Sequence, residues 1–99
     1  MIVYVASPYA GDIGNNIIRA RAYCRHVVNE GHMPIAPHLL YPQFVCEDTE
    51  RHIGLGFGLK LLELCDELWV FGDRISIGMS AEIEEAKKRG TPIKYIRKV

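Results

Sequence analysis

Ninety-nine residues, 48% of them hydrophobic, suffice for one packed domain over residues 1–99 that needs neither disulfides nor a structural metal. Twelve basic and twelve acidic residues cancel, which excludes the basic footprint of a nucleic-acid binder and the character of an acidic tail. No apolar run approaches the roughly 20 residues of a membrane span. The first residues carry no signal-peptide pattern, and three widely spaced cysteines without C-x-x-C read as reduced thiols in a cytoplasmic protein.

Ile2 to Ala6 is short, apolar and β-branched, and predicts a buried first strand. Ser7-Pro8-Tyr9-Ala10-Gly11-Asp12 breaks it. Asn15 or Asn16 is the expected cap of a helix whose inner face carries Ile17, Ala20, Cys24, Val27 and Val28, with Gly31 as its stop. Met33 to Ala36 predicts a very short second strand. Residues 37–44 read as a loop, apolar enough to cover something. A helix over about residues 48–64 follows, with Leu55, Leu59 and Leu62 as core candidates. Glu67 to Phe71 is the next strand, Gly72 to Ile77 a loop, Gly78 to Arg89 a helix stopped by Gly90, and Pro92 to Ile96 a last strand. Strands alternate with helices and no tight hairpin joins them. The expected fold class is therefore α/β, with a four-stranded parallel sheet between two helical layers. Ligands of such sheets bind beyond the carboxyl ends of the strands.

Within the last helix, Met79, Ile83 and Ala86 form the apolar stripe. Glu84 with Lys88, and Glu85 with Arg89, have the spacing of surface ion pairs. Glu82 has no such cation and sits at the edge of the stripe, near the expected crevice. A carboxylate there serves as nucleophile or general base, or else merely snorkels to water. Tyr4 lies inside the first strand, where its hydroxyl needs a partner and a crevice carboxylate would supply one. Ser76 is a natural N-cap, so the amides of Gly78 and Met79 face the anion-attracting end of that helix. The glycines at 54, 56 and 58 do not follow a strand, so they argue for close packing and not for a phosphate loop. His38 follows a strand on the ligand side, while the four histidines share no metal-ligand spacing.

Taken together, Tyr4-Val5-Ala6-Ser7-Pro8-Tyr9, Cys65-Asp66-Glu67-Leu68-Trp69-Val70-Phe71 and Ser76-x-Gly78-x-x-x-Glu82-x-x-x-Ala86 resemble the nucleoside 2-deoxyribosyltransferase superfamily. The nearest likeness is to a small branch of bacterial and phage proteins within it. The resemblance implies a flavodoxin-like, Rossmann-like fold and cleavage of an N-glycosidic bond. It places the nucleophilic glutamate at Glu82 and its positioning tyrosine at Tyr4. It also implies a homodimer or higher homo-oligomer, in which a neighbouring subunit completes the site. Three positions depart from the pattern: Ser76 stands where the transferases have Asp, Gly58 where the superfamily commonly has Asp, and Ala10 where the related deoxynucleoside 5′-monophosphate N-hydrolases have Arg. Asp12, Asp48 and Glu50 are the carboxylates expected to stand in for the missing acid.

The resulting expectation is hydrolysis or transfer at the N-glycosidic bond of a deoxynucleoside or its 5′-monophosphate. Glu82 and Tyr4 are its catalytic pair. Ser7 and Ser76 bind sugar or phosphate, with Pro8, Tyr9, Gly78 and Met79 beside them, and His38, Tyr41 and Gln43 line the base side. No metal, cofactor, nucleic acid or membrane is implied. The rival is a non-catalytic nucleotide-binding module of the same fold, favoured by Gly58 and Ala10. A third reading makes the 37–47 segment and the glycine-rich helix an oligomer interface. One geometric test bears on both ligand readings: whether Glu82 and Tyr4 meet at the floor of a cavity or Glu82 points into solvent.

Overall fold

A computed structural model describes residues 1–99. Its elements are β1 (Ile2–Ala6), α1 (Ile13–Asn29), β2 (Met33–Ile35), α2 (Pro37–Leu40), a 3₁₀ turn (Tyr41–Gln43), α3 (Arg51–Leu62), β3 (Glu67–Phe71), α4 (Ile77–Arg89) and β4 (Ile93–Ile96). All strand pairs are parallel, in the order β2-β1-β3-β4. The expected α/β class and four-stranded parallel sheet are therefore observed.

Side chains alternate across a strand. In β1, Val3 and Val5 point to one face and pack with Trp69, Phe71 and Val27 of α1. Tyr4 and Ala6 point to the other, where Leu62 of α3 and Met79, Ile83 and Ala86 of α4 meet Leu68 and Val70. Helices cover both faces, which is why β1 and β3 read as continuous apolar runs. Pro34 is tolerated in β2 because that strand lies at the sheet edge. The chain leaves β1 toward β2 and leaves β3 toward β4, so the switch point falls between β1 and β3. No helix is long and apolar enough to cross a membrane.

Several boundaries differ from expectation. Helix α1 starts about one turn earlier than an Asn15 or Asn16 cap allows, with Asp12 at the N-cap. Asn16 is instead buried in the first turn, and its amide donates to the carbonyls of Tyr9 and Ala10 at 3.0 and 3.1 Å. It pins the loop that leaves β1. Val28 points away from the core and is 43% exposed. Residues 37–43 are helical, not a loop, because a proline at the first helical position starts a helix as readily as one inside breaks it. Leu62 is buried as expected, whereas Leu55 and Leu59 are half-buried.

Helix α4 keeps its expected ends. Ser76 Oγ accepts from the Met79 amide at 3.2 Å, and Gly90 closes the helix at φ 73°. Glu85 pairs with Arg89 at 2.5 Å, and Arg89 also reaches Glu63 at the end of α3 at 2.6 Å. Glu84 and Lys88 form no ion pair; the ion pairs on this helix are those of Arg89.

Candidate functional site

A cavity of about 90 Å³ opens on the α3 and α4 side of the sheet, beyond the end of β1. Its floor is the pair the geometric test asks for. Tyr4 is 1% exposed, and its hydroxyl donates to Glu82 Oε2 across the base of α4. Burial pushes the Glu82 carboxyl up to about 7, against the downward pull of that hydrogen bond. Burial first, and then the Glu82 charge, hold the Tyr4 phenol far above its usual range, so it remains a donor at any ordinary pH.

Ser7, next to the end of β1, is 6% exposed, and its Oγ lies 2.8 Å from His38 Nε2 on α2. Burial pulls the His38 imidazole down to about 4, so the ring is neutral at pH 7. The structure also brings Tyr9, Tyr41, Ser76, Gly78 and Met79 to the cavity wall. Two expected binding residues lie elsewhere. Gln43 is exposed, absent from the wall, and its amide donates to the Leu39 carbonyl at 2.9 Å, because the 3₁₀ turn folds it back on α2. Pro8 lines a neighbouring crevice, since successive residues after β1 diverge to opposite faces. None of Asp12, Asp48 and Glu50 reaches the cavity: Asp12 accepts from Asn15, Glu50 from the Cys46 amide, and Asp48 is exposed. The second cavity carboxylate is Glu47.

Glu47 and Arg51 are residues the sequence reading passed over. They form an ion pair at 3.1 Å at the rim. A Cβ at Gly78 would stand 3.4 Å from Arg51 Nη2, which shows how closely the head of α3 approaches the head of α4. Their i,i+4 spacing was visible, but it reads as surface decoration until the sheet brings the two helix heads together.

Gly58 fills the most demanding position. A Cβ there would lie 2.8 Å from Tyr4 Oη, closer than a side chain is accommodated. Gly58→Ala is therefore expected to lower the melting temperature in the wild-type background. In a Tyr4→Phe background the obstructing hydroxyl is gone, and the helix-propensity gain of about 1 kcal/mol is expected to raise it by roughly 4–8 °C. Thermal melts of the four variants check this; shifts of the same sign in both backgrounds would contradict the packing account.

These features define an α/β protein with an open parallel sheet and a carboxylate-floored cavity at its strand ends. The chain belongs to the family described as Domain of unknown function (DUF7768), whose model matches residues 1–96. A search of curated proteins finds no match to the sequence. Among solved structures, a similar one is a 2-deoxyribosyltransferase from the psychrotolerant bacterium Bacillus psychrosaccharolyticus, described as a biocatalyst for the synthesis of antiviral and antitumoral nucleosides. The two superpose with a TM-score of 0.72 over 96% of this chain and 71% of that chain, at 18% identity. At that identity the likeness establishes the shared fold.

Proposed function

We propose that this protein cleaves the N-glycosidic bond of a deoxynucleoside or deoxynucleoside 5′-monophosphate, with Glu82 as nucleophile. The observation that carries the reading is the Tyr4–Glu82 pair at the cavity floor, with burial raising the carboxyl to about 7. A carboxylate of raised basicity, anchored by one donor, suits attack on an anomeric carbon.

In this reading the Glu82 carboxylate attacks C1′ and forms an ester bond to the sugar. The C1′–N bond breaks, and its electron pair leaves with the base. Water or a second base then attacks C1′ and gives its proton to solvent; the C1′–O ester bond breaks, releasing the free sugar or a new nucleoside and restoring the carboxylate. Tyr4 holds Glu82 in line throughout. Neutral His38 orients Ser7 and carries no proton to spare. The departing base takes its proton from the open side of the cavity, where Glu47 and Tyr41 stand. The cavity is smaller than the roughly 300–1,000 Å³ of ordinary ligand sites. It encloses the sugar, and the base lies toward the rim. Ser7 and Ser76 contact sugar or phosphate. A homo-oligomer in which a neighbouring copy covers the base fits this opening, and Phe44, 66% exposed, offers apolar surface beside it.

The test is a panel of deoxynucleosides and their 5′-monophosphates, assayed for free base by chromatography. Base release supports the reading and gives the substrate class. Its absence in a folded protein favours the second reading, a nucleotide-binding module without turnover. The specific observation behind that second reading is Gly58, which leaves no carboxyl where the resemblance implies an acid.

A further inference from the structure

The opposite side of the switch point carries a second crevice, of about 340 Å³, that the reading above leaves unused. It falls within the size range of small-molecule sites, and its walls are mostly polar. Arg19 comes from α1, Arg74 from the loop after β3, and Arg97 follows β4, so three separate segments each bring an arginine to the wall of one crevice. None of the three is in an ion pair, and Arg74 and Arg97 make no side-chain hydrogen bond. Arg19 donates only to Asn16 Oδ1, at 3.3 Å. The titratable groups facing them are Asp73 and Tyr23.

Three guanidinium groups therefore share the crevice with one carboxylate, in a chain whose formal net charge is zero. Like charges gathered without counter-ions repel one another, and an anionic ligand removes that repulsion. Guanidinium groups pair with phosphate oxygens in bidentate fashion. One wall is anchored on the core: Tyr23 stacks on Phe71 with ring centroids 4.7 Å apart, and its hydroxyl stands beside Gly72. Gly72 takes φ 89°, the left-handed turn that swings Asp73 and Arg74 over the crevice.

We propose that this crevice binds a compact ligand carrying at least two linked phosphate groups. Three guanidinium groups against one carboxylate match the several negative charges of a di- or triphosphate chain better than the charge of a single small anion. The site is separate from the Glu82 cavity but shares Ser7 with it. Asn16, whose side-chain carbonyl holds Arg19, also pins the loop bearing Tyr9 and Ala10 of that cavity. The inference does not rest on glycosidic cleavage and survives its failure.

The test is the melting temperature at low ionic strength with inorganic tripolyphosphate, with ATP, and with sodium sulfate at matched ionic strength. The variants are Glu82→Gln and the double variant Arg74→Ala with Arg97→Ala; both arginines are exposed and unbonded, so the fold is kept. Tripolyphosphate at ten times its Kd is expected to raise the melting temperature by roughly 5–10 °C in wild type and Glu82→Gln alike, and not in the double-arginine variant. A larger rise with ATP, equally dependent on the arginines, identifies the source of the phosphates as a nucleotide. Equal rises identify the phosphate chain alone. No rise, a rise matched by sulfate, a rise that survives the arginine substitutions, or one lost in Glu82→Gln overturns the proposal.

Discussion

Glu82→Gln is expected to cut base release by at least about 10³-fold while the protein stays folded. An amide keeps the shape of the carboxyl and can still accept from the Tyr4 hydroxyl, so the cavity floor survives. What it lacks is the negative oxygen that forms the bond to C1′. The paired measurement is base release by chromatography and the melting temperature of the same sample. Loss of activity with an unchanged fold assigns the chemistry to this carboxyl. Activity within tenfold of wild type removes Glu82 as nucleophile and, with it, the mechanism proposed above.

Acid is expected to stabilise the wild-type protein through the same residue. Glu82 titrates near 7 when folded and near 4.3 in an unfolded chain, so between these values the folded state binds the extra proton. Its contribution to stability is complete below the lower value and is lost as pH rises through 7. The carboxyl faces a cavity, so solvent screening reduces the effect to roughly 2 kcal/mol. His38 acts with the opposite sign. Its ring titrates near 4 when folded and near 6.5 when unfolded, so its contribution is complete above 6.5 and lost on acidification. The two partly cancel in a plain melting curve. The difference between wild type and Glu82→Gln isolates the glutamate, because the variant keeps His38. Relative to the variant, wild type is expected to lose roughly 8–16 °C between pH 4.5 and 7.5. Base release is expected to rise over the same interval and level off above 7, because the ionised form attacks. Parallel melting profiles would show that burial does not raise this carboxyl.

The layered fold was legible because β1 and β3 are buried on both faces and carry uninterrupted apolar runs. Helix α4 was legible at both ends, since a serine cap and a glycine stop are local signals. Glu82 stood out for a local reason as well: it lacked a cation on its own helix. The rest depended on approaches between distant segments. Glu47 and Arg51 became rim residues only when α3 met α4. Gln43 was placed by loop position, but its amide found a carbonyl one turn back. The four-residue helix α2 has too few positions to show a period, and its proline was read as punctuation. Close packing was legible in the glycine-rich helix, but not that Gly58, rather than Gly54 or Gly56, is the one pressed on the sheet, because its partner is a hydroxyl on β1.

That close approach also governs how this site could be redesigned. Placing an aspartate at 58 asks for space that Tyr4 occupies, and the graft would drive the phenol off Glu82 or lift α3 from the sheet. Removing the phenolic hydroxyl first makes room but strips the glutamate of its anchor. Neither order of single substitutions keeps a working intermediate, so an acid could be installed there only together with a backbone shift of the helix. The packing behaves as a ratchet: it fixes which chemistry neighbouring sequences can reach one step at a time.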